Sequence, residues 1–156
     1  MNPTFARHVE SLHPKCEALL ACQPYTYDSL PRRMPMAGIY LFSSESVHLY
    51  VGRSNEIRSR LGRHCLPSAG HNKAAFAFRL ARIATGRTEA VYRAGNGTRA
   101  ELMADETFRN AFEKAKADIR AMTIRFVEEA DPVRQALLEM YAAVSLGTVH
   151  NSFDNH

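Results

Sequence analysis

Two β-prone runs, residues 37–42 and 47–51, flank a polar cluster at 43–46. This pairing constrains the fold more than any other stretch of the chain. Branched and aromatic residues favour extended backbone, and a short polar cluster between two such runs reads as a hairpin turn. The spacing predicts adjacent strands, one carrying Gly38-Ile39-Tyr40 and the other Tyr50-Val51-Gly52, with Gly52 opening a turn toward a helix. Ser54 or Asn55 then caps that helix, which bears Ile57, Arg58, Arg60, Leu61 and His64 and ends before the breaker Pro67.

The rest of the chain reads mostly as helix. Phe5, Val9, Leu12, Cys16, Leu19 and Leu20 recur at helical spacing. Pro14 interrupts the stripe by removing a donor, so two short helices are expected. Residues 23–35, with Pro24, Pro31 and Pro35, read as a loop. Residues 72–84 form a helical pattern stopped by Gly86, Ala94-Gly95-Asn96-Gly97 a turn, and residues 101–120 one long helix with Phe108, Phe112, Ala115 and Ile119 in register. Residues 122–127 alternate like a half-buried third strand. Asp131-Pro132 opens a last helix that turns Leu137, Leu138, Tyr141 and Val144 inward until Gly147, leaving a short polar tail from His150 to His156. The expected class is α/β, a small three-stranded, mainly antiparallel sheet flanked by helices, with a helical insertion.

A chain of 156 residues with 46% hydrophobic content fills one core, so a single domain over 1–156 is expected. Residues 1–35 are its N-terminal helical extension and residues 65–120 the insertion. A net charge of +4 favours an anionic partner. Cys16, Cys22 and Cys65 form no C-x-x-C pair, which points to reduced, buried thiols in a cytoplasmic protein. His8, Glu10 and His13 break every apolar run near the N-terminus, so no signal peptide is read there, and no stretch is long enough to span a bilayer.

The order of elements, the GIY and YVG half-motifs, the arginine eight residues past Gly52, a helical Glu139 and Asn151 together resemble the GIY-YIG nuclease superfamily. The resemblance covers residues 37–64 closely and resumes over 122–151. It implies that Tyr40 and Tyr50 are the active-site tyrosines, Arg60 the catalytic arginine and His64 the histidine-or-tyrosine position. It likewise makes Glu139 the metal ligand and Asn151 the asparagine that closes the motif. Arg53 stands where members carry a phosphate-binding lysine. Valine for isoleucine in YVG and the inverted Asn55-Glu56 order depart from the pattern without touching those positions.

Phosphodiester hydrolysis needs a base for water, cations for the charge on phosphorus, and help for the leaving oxygen. A phenol, with an ordinary pKa of about 10, serves as base only where cations favour its phenolate, and Arg53, Arg60 and a metal could supply them. One carboxylate suits a single hydrated magnesium or manganese ion shared with the scissile phosphate. The Arg60 fork matches phosphate oxygens, and His64 one turn on should reach the same surface. Lys73, Arg79, Arg82, Arg87, Arg93 and Arg99 concentrate in the insertion, a patch that could track a nucleic-acid backbone, most simply DNA. Its plainer reading is a solvated helix face snorkelling around Phe76 and Phe78.

Each residue alone has such a plain reading: tyrosines of a hairpin pack across strands, a helical glutamate faces water, and an asparagine ends a turn. Their conjunction in order favours a metal-dependent endonuclease. The alternative is an inactive nucleic-acid-binding or protein-interaction module on the same scaffold. Substrate preference and oligomeric state are not legible here.

Overall fold

The structure, a computed structural model, describes residues 1–87 and 98–153. The turn expected at 94–97, Arg93 and the last three residues of the tail lie outside them. The chain separates into two compact units, residues 1–60 with 122–156 and residues 61–121.

The first unit is built on the predicted hairpin. Strands β1 (Gly38–Ser44) and β2 (Val47–Ser54) pair antiparallel around a tight turn in which Glu45 and Ser46 both take positive φ, 49° and 69°. Strand β3 (Thr123–Glu128) joins the other edge of β1, also antiparallel, giving the order β2-β1-β3. All pairings among the described strands are antiparallel. A register shift between Phe42 and Ser43 marks a bulge. Residues alternate across the sheet, so Ile39, Leu41 and Val51 fall on one face. There they are buried with Leu12, Cys16, Leu19, Leu138, Ala142 and Ala143. Each large apolar side chain removed from water in this way contributes about 1.5–3 kcal/mol.

The helices covering that face are α1 (Pro3–Val9), α2 (Leu12–Ala21) and α7 (Pro132–Leu146). Asp131 caps α7 by accepting from Arg134 N, and Gly147 closes it in the left-handed conformation, as their sequence positions require. The break between α1 and α2 falls at Glu10–Ser11 and not at Pro14. Pro14 lies in the first turn of α2, where a backbone donor has no partner to lose. The proline-rich loop is not wholly irregular: it contains a 3₁₀ turn at Tyr27–Ser29, and Tyr25 forms a bridge with Ile124. Helix α3 (Ile57–Cys65) begins in this unit, with Ile57 N donating to Met36 O (2.8 Å).

The second unit holds the remainder of α3 with α4 (Ala75–Ala84), α5 (Arg99–Ala104) and α6 (Glu106–Ala121). The single helix expected over 101–120 is two. Thr98 and Glu101 form a capping box at the start of α5, and Asp105 ends it while its carboxylate accepts from Thr107 N and Phe108 N to begin α6. Phe76, Phe78, Phe108, Phe112 and Ile119 make the core, with the Phe78 and Phe108 rings 5.1 Å apart. Lys116 is buried among them and donates to the carbonyls of Pro67 and Ala69, so the buried ammonium is hydrogen-bonded as its environment demands. No helix among the described residues is long and apolar enough to cross a membrane.

Candidate active site

The face of the sheet opposite the aliphatic core carries the tyrosines. Register pairs Tyr40 with Gly52 and Phe42 with Tyr50, so the two phenols are diagonal neighbours on one face. Gly52 lies inside β2 and not in a turn, because Tyr40 needs its surface. A β-carbon at Gly52 would overlap the Cζ, hydroxyl and Cε2 atoms of Tyr40. At the other half-motif, a β-carbon on Gly38 would overlap the carbonyl oxygen of Val127 on β3. The two glycines thus serve close approach, one of a ring and one of a strand. Tyr40 is fully buried, edge-on to Phe42 at 5.8 Å, while Tyr50 keeps part of its surface open.

Arg60 reaches this face from α3 and lies close enough to act on both phenols. Burial pushes the Tyr40 hydroxyl well above the ordinary phenol range, and Tyr50 beside it adds to the rise against the pull of Arg60. Tyr50 is raised too, first by burial, with Arg60 opposing and the Glu139 carboxylate adding. Arg60 favours both phenolates, as a nearby cation should, but burial outweighs it and both hydroxyls are held neutral. Burial works against the charge of Arg60, but Tyr40, Tyr50 and Glu139 outweigh it and hold the guanidinium protonated.

Glu139, on α7, is within electrostatic range of both phenols and of Arg60. Its half-buried carboxylate accepts from Arg53 Nε at 2.9 Å. Burial pushes the Glu139 carboxyl upward, while Arg53 and then Arg60 pull it down. Arg53 thus meets a carboxylate, a contact its sequence position does not announce.

Asn151 clamps the free edge of β2. Val51 N donates to its Oδ1 and its Nδ2 donates to Val51 O, both at 2.8 Å. Thr148 Oγ1 donates to the same Oδ1 at 2.8 Å, a support that sequence reasoning misses although a threonine three residues before the asparagine is there to be read. His150 N continues the edge by donating to Leu49 O. Asn151 fixes the strand between Tyr50 and Gly52 and satisfies an edge that would otherwise be open.

His64 is placed differently from its expectation. Its ring is fully buried in the second unit, edge-on to Phe76 at 6.3 Å, so it does not reach a surface. The basic residues of that unit are partly committed to local contacts. Arg87 pairs with Asp105 (2.6 Å), Arg82 Nε donates to Arg87 O, and Arg82 and Arg99 lie 5.8 and 4.5 Å over the Phe78 ring. Lys73 is exposed and Arg79 half-exposed.

The family model of the GIY-YIG catalytic domain matches residues 36–139, two thirds of the chain. The chain belongs to the GIY-YIG family. No curated protein and no solved structure matches it. The match takes in both half-motifs, Arg60, His64 and Glu139, runs across residues 65–120 and stops before Asn151. This GIY-YIG domain is accordingly of a nuclease type, and such nucleases generally use divalent metal ions. Among the described residues no group of three histidine, cysteine or carboxylate side chains could cage an ion. A lone half-buried carboxylate with one oxygen engaged by Arg53 suits instead an ion that keeps most of its waters and takes a phosphate oxygen, so the residues present fit such a group.

Proposed function

We propose that this GIY-YIG protein is a metal-dependent endonuclease that hydrolyses phosphodiester bonds in DNA. The observation that carries the reading is Arg60, a permanently charged fork beside two phenols, with Glu139 in electrostatic range of all three. That arrangement puts a fixed cation, two proton-bearing oxygens and a carboxylate around one site.

In this reading Arg60 and Arg53 take the non-bridging oxygens of the scissile phosphate, whose negative charge grows as the water oxygen bonds to phosphorus. Tyr50 is the general base: its phenolate, the minor form at neutral pH, receives the proton of the attacking water as that oxygen bonds to phosphorus, and the leaving sugar oxygen departs with the electron pair of the bond that breaks. Its open surface supports this choice, since a base must meet solvent, and fully buried Tyr40 instead orients Arg60. Glu139 would hold one magnesium or manganese ion, which when bound neutralises phosphate charge and eases departure of the leaving oxygen. Asn151 acts by positioning Tyr50 through the clamp on Val51. His64 acts through α3, keeping the helix that presents Arg60 packed. Lys73, Arg79 and Arg82 hold further phosphates of the substrate backbone. The three cysteines, none in a disulfide, support a cytoplasmic setting.

Replacing Tyr50 by phenylalanine tests the assignment. The variant should bind a DNA duplex nearly as the parent does and fail to cut it, whereas near-normal cleavage would retire Tyr50 as base.

A further inference from the structure

The contact between Arg53 and Glu139 has the form of a latch. It is made through Nε alone; among the described residues the two terminal nitrogens of Arg53 have no protein partner. Arg53 keeps 46% of its side chain exposed, against 26% for Glu139, so the cation is the freer partner of the two. A single-point pair at such exposure exchanges easily, and the unused edge of the guanidinium is the one that matches phosphate.

We propose that Arg53 is an internal counter-cation that occupies Glu139 in the substrate-free protein and leaves it for a phosphate, so that divalent-ion binding is coupled to nucleic-acid binding. The inference rests on Glu139 as the metal-binding residue. The charges at the site decide its sign. Glu139, Arg53 and Arg60 together carry +1, and a dication entering alone would meet two guanidiniums and one carboxylate already paired. A phosphodiester brings −1, draws Arg53 to itself and frees the carboxylate, so the dication then meets an open ligand and less positive charge. By linkage the coupling is reciprocal: metal must tighten phosphate binding by the factor that phosphate tightens metal. The protein would thereby avoid holding an armed metal when no strand is present.

The test is Mn²⁺ binding to the full chain without nucleic acid, read from the paramagnetic resonance signal of the free ion. Arg53→Gln removes the latch and should bind Mn²⁺ about tenfold more tightly than the parent, within the usual span of such couplings. Arg53→Lys keeps the charge and should stay as weak as the parent. The double variant Arg53→Gln/Glu139→Gln should lose the gain. Binding by Arg53→Gln no tighter than the parent's, with Glu139→Gln weaker than either, would overturn the latch and leave the metal assignment standing. If Glu139→Gln changes nothing in either background, the assignment of Glu139 fails and the latch with it. Thermal melts of each variant establish that the comparisons are between folded proteins.

Discussion

The ring of Tyr40 lies across the α-carbon of Gly52, its partner on the neighbouring strand, in space that no β-carbon could share. One half-motif therefore requires the other: a buried tyrosine on β1 needs a glycine on β2, and the pair holds the phenol where Arg60 can reach it.

Gly52→Ala should accordingly disturb the site from within. The added methyl forces the Tyr40 ring to move, and overpacking of this kind costs about 1–3 kcal/mol. Denaturant melts should show that loss, and Tyr40→Ala in the same chain should relieve most of it. Additive losses in the double variant would mean that the two residues do not press on each other.

The pH dependence has a definite sign. Both phenols are raised above their ordinary value by burial, so the phenolate fraction of Tyr50 climbs through the whole range up to pH 10. Cleavage with Tyr50 as base should rise roughly tenfold per pH unit between pH 6 and 8 at fixed magnesium. A group whose folded pKa is raised stabilises the fold below its unfolded pKa and loses that contribution as pH climbs through the folded value. Above about pH 10 the first unit should therefore lose stability, and Tyr40→Phe should soften the loss. A flat rate profile, or alkaline stability unchanged by Tyr40→Phe, would count against these assignments.

Asn151→Ala removes both bonds to Val51 and the one from Thr148, leaving polar groups at the strand edge without their partner. A loss of about 1–3 kcal/mol is expected, with faster hydrogen exchange at the Val51 amide. Reduced cleavage with stability and exchange unaltered would show that Asn151 touches the substrate instead of positioning Tyr50.

How much of the fold is legible in the sequence depends on how local each signal is. The hairpin rests on two β-prone runs around a polar cluster, the third strand on period-2 alternation, and α7 on an aspartate cap, a proline in the first turn and a terminal glycine. All of these sit within a few residues of the structure they dictate. Asp105 hides in an apparent helix interior because a continuous apolar stripe outweighs a single capping carboxylate. Pro14 suggests a break that falls elsewhere, since a first-turn proline costs nothing. Gly52 reads as a turn residue because its reason, the Tyr40 ring, comes from across the sheet. The burial of His64 depends on the Phe76 contact, and the Arg53–Glu139 pair joins residues 86 positions apart. One sequence contains no trace of either.

The most direct measurement is nicking of supercoiled plasmid with magnesium, by the purified protein and by Glu139→Gln prepared in parallel. A bound ion's share of transition-state stabilisation is several kcal/mol, so the parent should nick and the variant should be slower by on the order of a hundredfold or more. Equal nicking by the two proteins, or none by the parent at any magnesium or manganese concentration, would contradict the account.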